Sequence, residues 1–356
     1  MEKKIVFLMP REASWPSGGL KVVLEYANRL SQRGNNVKLV YPMFRINESF
    51  DWLHSLFYFF LFFFIKYKKK YKPDKWFDID ANIEQVFVRS LENFKYNKED
   101  IYVATAIHTA YSLQRYKTPE SHKFYFIQGF ENWTYSNQEV IDSYHFKMHK
   151  IVISNWLHEI LLNIGEMADI VYNGFDFKTF ILSTPIHKRS PYEIICLYHK
   201  SNLKDFPTAY GALIKVKSIC PGLHVSLFGV PSEPKLPDWF TYYQSPDKNQ
   251  LVKLYNNAAI YVGSSKVEGW GLTIGEAMLC GCAVVCTNNR GYLEMAKHKK
   301  TALVSEIEDV DALASNIISL IEDNRQRIEI AEAGNKYIKK FNIEDSFLKF
   351  EKIITC

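Results

Sequence analysis

The stretch Glu268–Gly281, EGWGLTIGEAMLCG, decides how this chain is read. It sets two carboxylates, Glu268 and Glu276, eight positions apart with Gly269, Gly271 and Gly275 between them. Upstream, IYVGSS (260–265) is a short apolar run closed by small residues, which suits a buried strand. Downstream, LTIGEAML has helical spacing, and Gly281 is a suitable C-terminal stop. Glu268, Gly269, Trp270 and Gly271 therefore form a loop feeding a helix N-terminus.

Free N–H groups and the helix dipole make such a terminus an anion site, with the dipole contributing about 0.3–1 kcal/mol per charge. Glycine lets backbone approach a ligand closely because no Cβ intervenes. A carboxylate just before the loop repels phosphate, so Glu268 suits hydroxyl donors, and Glu276 can accept from a second set. A diphosphate between two polyols, as in a nucleotide sugar, meets all of these demands. A nicotinamide fingerprint fits less well: GWGLTIG is one residue too long for G-x-G-x-x-G, and AVVCTNN lacks the acidic residue that would hold an adenine ribose. The plainer alternative is an ordinary strand–loop–helix with two solvated glutamates.

Outward from this stretch the chain alternates strand and helix. IVFLM, a glycine-bearing turn, a helical pattern over 20–33 and VKLVY form a βαβ unit, followed by apolar runs at 101–105, 124–128, 151–154 and 169–173. STPIHKRSPYE (183–193) has two prolines and no periodicity, and it reads as the interdomain linker. The alternation restarts with IICLYH and HVSLFG, and helical patterns fall at 206–219, 247–257, 309–323, 325–340 and 344–355. The predicted architecture is α/β, with two doubly wound domains facing across a cleft. Their spans are 1–186 on the acceptor side and 187–340 on the donor side, with a helix over 341–356 packing back on the first domain.

At 356 residues the chain suits two domains, and its 47% hydrophobic and 23% charged content excludes global disorder. The net charge of +5 favours anionic ligands or surfaces without indicating nucleic acid. All six cysteines lie beyond residue 195, unlike a disulfide framework, and Cys280, Cys282 and Cys286 lack metal-ligand spacing. MEKKIVFLMP reads as a strand, too short in its apolar run for a signal peptide, so a cytoplasmic protein is expected.

VEGWGLTIGEAMLCGCAVVCT resembles the signature of the retaining glycosyltransferases of family 4, whose fold is GT-B. SGGLKVVLEYANRLSQRGNNV, ISNWLHEILLNIG with VYNGFD, and LYHKSNLKDFPTAYGAL resemble further family segments, so the likeness runs along most of the chain. YHKSNLK and FYFIQGFE are similar to segments of rhamnose-type polysaccharide transferases. The resemblance implies that Glu268 lies against the donor sugar and Glu276 binds the nucleotide ribose. Backbone N–H groups around Trp270, Gly271 and Leu272 would then hold sugar or diphosphate. The family pairs an Arg with a Lys five residues later. Here the Lys is Lys204, but His199 stands at the Arg position, with His199 or Lys200 as substitutes. Gly18 and Gly19 resemble the turn that closes over donor phosphates. His108 stands where relatives keep a first-domain active-site histidine, and Glu131 is an acceptor-side candidate.

Two further features need a reading. The Asp-x-Asp of FDIDAN (77–82) could bind a metal in another glycosyltransferase fold. In this sheet pattern it is a chance match, and neither metal nor cofactor is expected beyond a nucleotide-sugar co-substrate. LHSLFYFFLFFFI (53–65) followed by KYKKKYK is too short for the roughly 20 residues of a membrane-spanning helix. It either fills the first-domain core or docks peripherally on the inner face of a membrane through 53–72, and apolar on all sides, it does not say which. The expected activity is retaining transfer of a hexosyl or deoxyhexosyl group from a nucleotide sugar to a glycan, lipid-linked in the fullest form of the reading, in cell-surface polysaccharide synthesis. An inactive GT-B chain acting as a binding or assembly partner is the alternative.

Overall fold

Parallel strands buried on both faces must be joined by helical crossovers, and the chain makes such units in two separate compact bodies. The structure, a computed structural model, describes residues 4–11, 13–44 and 52–355, with the backbone alone over 52–56. Residues 1–3 and Cys356 lie outside the described residues, as do the side chains of Leu53–Leu56 at the start of the expected aromatic run.

The first unit runs to Tyr172 and takes in the segment from Ser346 onward. Its strands are β1 (Ile5–Leu8), β2 (Val37–Pro42), β3 (Glu84–Val88), β4 (Ile101–Ala104), β5 (Lys123–Ile127), β6 (His149–Val152) and β7 (Asp169–Ile170). They pair in parallel in the order β3-β2-β1-β4-β5-β6-β7. Helices α1 (Gly18–Gln32), α2 (Trp52–Tyr67), α3 (Ile107–Gln114), α4 (Asn137–Tyr144) and α5 (Asn155–Asn163) connect them. Ser17 caps α1 by accepting from the Leu20 N–H at 3.3 Å.

The second unit, Asn173–Asp345, repeats the plan. Strands β8 (Glu193–Leu197), β9 (His224–Gly229), β10 (Phe240–Gln244), β11 (Ile260–Gly263), β12 (Ala283–Thr287) and β13 (Ala302–Ser305) pair in parallel as β10-β9-β8-β11-β12-β13. Helices α6 (Phe206–Ile219), α7 (Lys248–Asn257), α8 (Leu272–Leu279), α9 (Val310–Glu322) and α10 (Asn324–Ile338) complete it. In each sheet the strand order reverses beside the unit's first strand, between β1 and β4 and between β8 and β11. Such switch points open a crevice at the carboxyl ends of the strands.

Helix α11 (Ile343–Thr355) belongs from Ser346 to the first unit, where Phe350 lies 4.9 Å from Tyr26 and 5.3 Å from Phe126 by ring centroids. Burying an aromatic side chain of this size stabilises by about 1.5–3 kcal/mol, which gives the end of the helix a reason to stay.

The boundary between the units follows Tyr172, which corrects the placement of the linker over 183–193 and of the domain division at 186. That proline-bearing segment is packed into the second unit. Ile186 joins its core, and buried Arg189 donates to the carbonyls of Thr184, Ala258 and Cys280 at 2.9, 2.9 and 2.5 Å. A guanidinium satisfied by neutral acceptors can be buried, and burial lowers its pKa from the ordinary value. Aperiodic sequence marked irregular backbone here, not a free linker.

The aromatic run forms α2, and the choice between core and exterior splits within the helix. Phe62 is buried and stacks on Phe87 at 5.1 Å, whereas Phe57, Phe59, Phe60, Phe63 and Phe64 are exposed.

Candidate functional site

In the second unit the site grows from the switch point. β11 ends at Gly263, and the loop beyond it carries Ser265 and Glu268 to the N-terminus of α8. Gly271 is the N-cap residue of that helix at φ +99°, a left-handed conformation, and a Cβ there would lie 2.6 Å from the Tyr292 ring. No other residue suits the place. The leading N–H groups of a helix have no partner within it, so α8 presents donors and a positive dipole end.

Lys204 comes from the loop after β8, on the other side of the switch point. Its Nζ donates to Glu268 Oε1 at 2.5 Å, and Ser265 Oγ donates to the same oxygen at 2.8 Å. Ser265 Oγ accepts in turn from the buried Tyr292 hydroxyl at 3.0 Å. Ser264 fixes the backbone behind the lysine by donating to the Lys204 and Asp205 carbonyls. The pair is partly screened from water, with the glutamate side chain 13% exposed and the lysine 30%.

Glu276 lies farther along α8 and is buried. The Tyr255 hydroxyl donates to its Oε2 at 3.4 Å. Burial raises the Tyr255 hydroxyl well above its usual range, and the Glu276 charge adds to the shift, so this phenol is a donor at any ordinary pH. Tyr261, bonded to Thr273 Oγ1 at 2.8 Å, feels both glutamates and is likewise raised, chiefly by burial.

His199 stands in the loop after β8 and accepts the Ser201 N–H on Nδ1 at 2.9 Å. Crowding by the surrounding loop and then the Lys204 ammonium lower its pKa from the ordinary 6.5, against a smaller opposing pull from Glu268. The ring is therefore neutral at neutral pH. Lys200 is exposed, and among the described residues no hydrogen bond or ion pair joins it to this group. The Trp270 indole is buried at 5.0 Å from the Phe341 ring, so only its backbone is a candidate donor to a ligand. Leu272 is the first residue of α8.

In the first unit a cavity of about 300 Å³ opens at the β1/β4 switch point. Gly19, His108 and Glu131 line it together with Arg11, Gln128 and Trp133. Gly18 is the first residue of α1. His108 is buried, and its Nε2 lies 2.6 Å from the Pro10 carbonyl; a carbonyl only accepts, so Nε2 carries the proton. Glu131 Oε2 accepts the first N–H of α3, from Ile107, at 3.2 Å.

The Asp-x-Asp has local employment. Asp80 accepts from Ser31 Oγ and from the Asn82 N–H, and the Asp78 carbonyl accepts from Asn28, which ties the turn to α1. Among the described residues no cluster of three His, Cys, Asp or Glu side chains has the geometry to hold a metal. Cys196, Cys220, Cys280, Cys282 and Cys286 are free and buried, and burial pushes Cys196 and Cys282 up to about 12.

Sequence reasoning missed Ser265, Tyr292, Tyr255, Gln128 and Arg11. Ser265, three residues before Glu268 in a tight loop, had a local signal. Tyr255 and Tyr292 come from separate segments, and nothing in their neighbourhoods announces the contact.

Two Rossmann-type parallel sheets in one chain, each with its polar groups at the switch point, constitute the GT-B fold. Residues 233–337 match the family model of glycosyl transferases group 1. The chain is 37% identical over 108 residues to the O-antigen chain mannosyltransferase B of Escherichia coli, covering 30% of this chain and 28% of that protein. It is 25% identical over 214 residues to the capsular polysaccharide biosynthesis glycosyltransferase CapM of Staphylococcus aureus, covering 54% of each. The chain thus spans about half or less of the length of these curated relatives. Among solved structures it resembles a sucrose-phosphate synthase from Thermosynechococcus elongatus, with a TM-score of 0.75 at 14% identity, covering 99% of this chain and 98% of that one. It also resembles Anabaena HepE in complex with UDP-glucose, with a TM-score of 0.73 at 16% identity and 99% of both chains covered. At these identities the structural likeness speaks for the fold. The sequence similarity to glycosyl transferases group 1 is thus carried by residues 233–337 of the second unit.

Proposed function

We propose that this protein transfers a sugar from a nucleotide-sugar donor to a glycan hydroxyl in the synthesis of a cell-surface polysaccharide. One observation carries the reading. Lys204, Glu268 and Ser265 are joined at the N-terminus of α8, and the buried Glu276 lies on the same helix. Cation and helix-terminal amides suit the diphosphate; the two carboxylates suit the hydroxyls on either side of it. The relatives named for O-antigen and capsular polysaccharide support the product class.

In this reading the second unit binds the donor. Lys204 and the N–H groups of Gly271 and Leu272 stabilise charge on the leaving diphosphate, while Glu268 faces the donor sugar and Glu276 the ribose. His199, being neutral, adds a hydrogen bond at the phosphate side rather than the charge an arginine would bring. In the first unit, Gly18 and Gly19 accompany the donor phosphates, His108 bonds a sugar hydroxyl, and Glu131 serves the acceptor. The reaction retains the anomeric configuration, as in family 4 and its rhamnosyl-type members, and needs no metal, because fixed positive groups occupy the metal's role. The acceptor is a lipid-linked glycan, met on the cytoplasmic side of a membrane. Calorimetry with a panel of nucleoside diphosphates, followed by product analysis with the matching nucleotide sugar, is the test. A protein that binds no nucleotide would overturn the proposal.

A further inference from the structure

Helix α2 is apolar all round, yet the fold uses only one side of it. At about 100° per residue, Leu61, Ile65, Tyr58 and Phe62 fall on one arc, and these are the partly or fully buried positions. Phe62 stacks on Phe87, which stacks in turn on the buried Tyr71 at 4.9 Å. The opposite arc carries Phe59, Phe63, Tyr67, Phe60, Phe64 and Phe57, and these six rings are 41–80% exposed. Scattered exposed aromatics are ordinary on a protein surface. Six on one helix face are not, because a contiguous apolar patch of this kind marks a surface that meets something.

The charge beside the patch says what it meets. Residues 52–72 carry five lysines and no carboxylate. Lys66, Lys68, Lys69 and Lys70 are exposed where the helix ends, and among the described residues no acidic side chain forms an ion pair with them. Lys70 Nζ lies 4.6 Å from the Phe64 ring centroid and Lys68 Nζ 5.5 Å from that of Tyr67, so cations ring the apolar face. A second copy of the chain brought against this face would set lysines against lysines. An anionic bilayer surface accepts both parts at once, rings into the acyl boundary and ammonium groups among the headgroups. The helix cannot cross: its 16 residues extend about 24 Å against a hydrocarbon core of about 30 Å, and no described helix is long and apolar enough to span a membrane.

We infer that α2 is an interfacial anchor: Phe57, Phe60, Phe63, Phe64 and Tyr67 insert into one leaflet of a membrane, Phe62 holds the helix to the protein, and Lys66–Lys70 select anionic lipid. The inference is independent of sugar transfer, since none of these residues lines the candidate sites of either unit.

The test is flotation of the full chain with vesicles of phosphatidylcholine alone and of equal parts phosphatidylcholine and phosphatidylglycerol. Binding should favour the anionic vesicles and weaken as salt is added, because the lysines act through a screened field. The triple variant Phe60→Ser, Phe63→Ser, Phe64→Ser should keep its circular dichroism and thermal midpoint while losing at least about tenfold in partitioning. Reversing Lys66, Lys68, Lys69 and Lys70 to Glu should abolish the preference for anionic vesicles. Undiminished partitioning of the triple Ser variant would overturn the inference, as would a wild-type protein that ignores vesicles and instead forms a dimer that the same substitutions abolish. Nucleotide affinity, measured in parallel by calorimetry, should be unchanged in both variants. A wild-type chain that binds vesicles but no nucleotide leaves the anchor standing and removes only the proposed function.

Discussion

Lys204 Nζ lies 2.5 Å from Glu268 Oε1, so the cation proposed to meet a diphosphate is already held by the carboxylate proposed to meet a sugar. Within the pair each charge compensates the other. In the proposed function a binding donor redistributes this pair, with phosphate taking over the ammonium and sugar hydroxyls turning to the glutamate. Ser265, bonded to the same Oε1 and backed by Tyr292, keeps the carboxylate oriented during the exchange.

Removing the two glutamates should separate affinity from turnover. Glu276→Ala is expected to weaken nucleoside diphosphate binding roughly ten- to a hundredfold, the usual cost of about 1.5–3 kcal/mol for a charged hydrogen bond. Glu268→Ala should leave nucleotide affinity within a few-fold and lower kcat. Calorimetry and steady-state kinetics check the two halves, and unchanged affinity in Glu276→Ala would sink its ribose assignment.

Lys204→Ala is expected to cost both nucleotide affinity and kcat, because the variant loses the cation and leaves Glu268 repelling the phosphate. The double variant Lys204→Ala, Glu268→Gln should regain part of the affinity. A double-mutant cycle measured by calorimetry decides the matter, and simple additivity would mean that the pair does not act on the ligand as a unit.

His199 supplies a pH test with a defined sign. Its pKa is lowered by loop crowding and by Lys204, while Glu268 pulls the other way. In an NMR titration its midpoint should fall below 6.5, rise in Lys204→Ala and fall further in Glu268→Ala. Because the folded pKa is the lower one, the unfolded chain takes up the proton first as pH drops below 6.5. His199 therefore opposes folding increasingly from that pH down through its folded pKa, and not above it. A midpoint that moves the same way in both variants would contradict the electrostatics described.

Transfer is expected to survive an excess of chelator, since Lys204 and the α8 amides supply positive charge at the proposed phosphate site. Loss of activity on chelation, with recovery on adding manganese or magnesium, would show that a metal is required after all.

Gly275→Ala tests the helix that carries the site. A Cβ at this position would lie 2.0 Å from Phe175 Cζ, so the ring must move or α8 must shift. The expected loss is about 1–3 kcal/mol of stability, as for other overpacked cores. It would be seen as a lower thermal midpoint, together with weaker nucleotide binding through displacement of Glu276.

What the sequence determined by itself was periodic or local. Strands buried on both faces declare themselves as short apolar runs, and so β1, β2, β8, β9, β11 and β12 were legible. Helix α6 was expected at 206–219 and spans Phe206–Ile219. The edge strands β3, β10 and β13 were not picked out. Along β3 only Phe87 is buried, and an edge strand of mixed exposure carries no continuous apolar signal. Glu268, Gly271 and Glu276 were legible because a loop and the helix it feeds are contiguous in the chain. The hydrogen bonds of Ser265 to Tyr292 and of Glu276 to Tyr255 were not, since strand order alone brings those segments together. The same holds for Arg189, whose charge made 183–193 look like a free linker until burial against the carbonyls of Ala258 and Cys280 placed it in the second unit. In α2, composition made every face apolar, and only packing on Phe87 decided which rings turn inward. Periodicity records which residues must avoid water; which of them find a partner depends on surfaces that only the folded chain assembles.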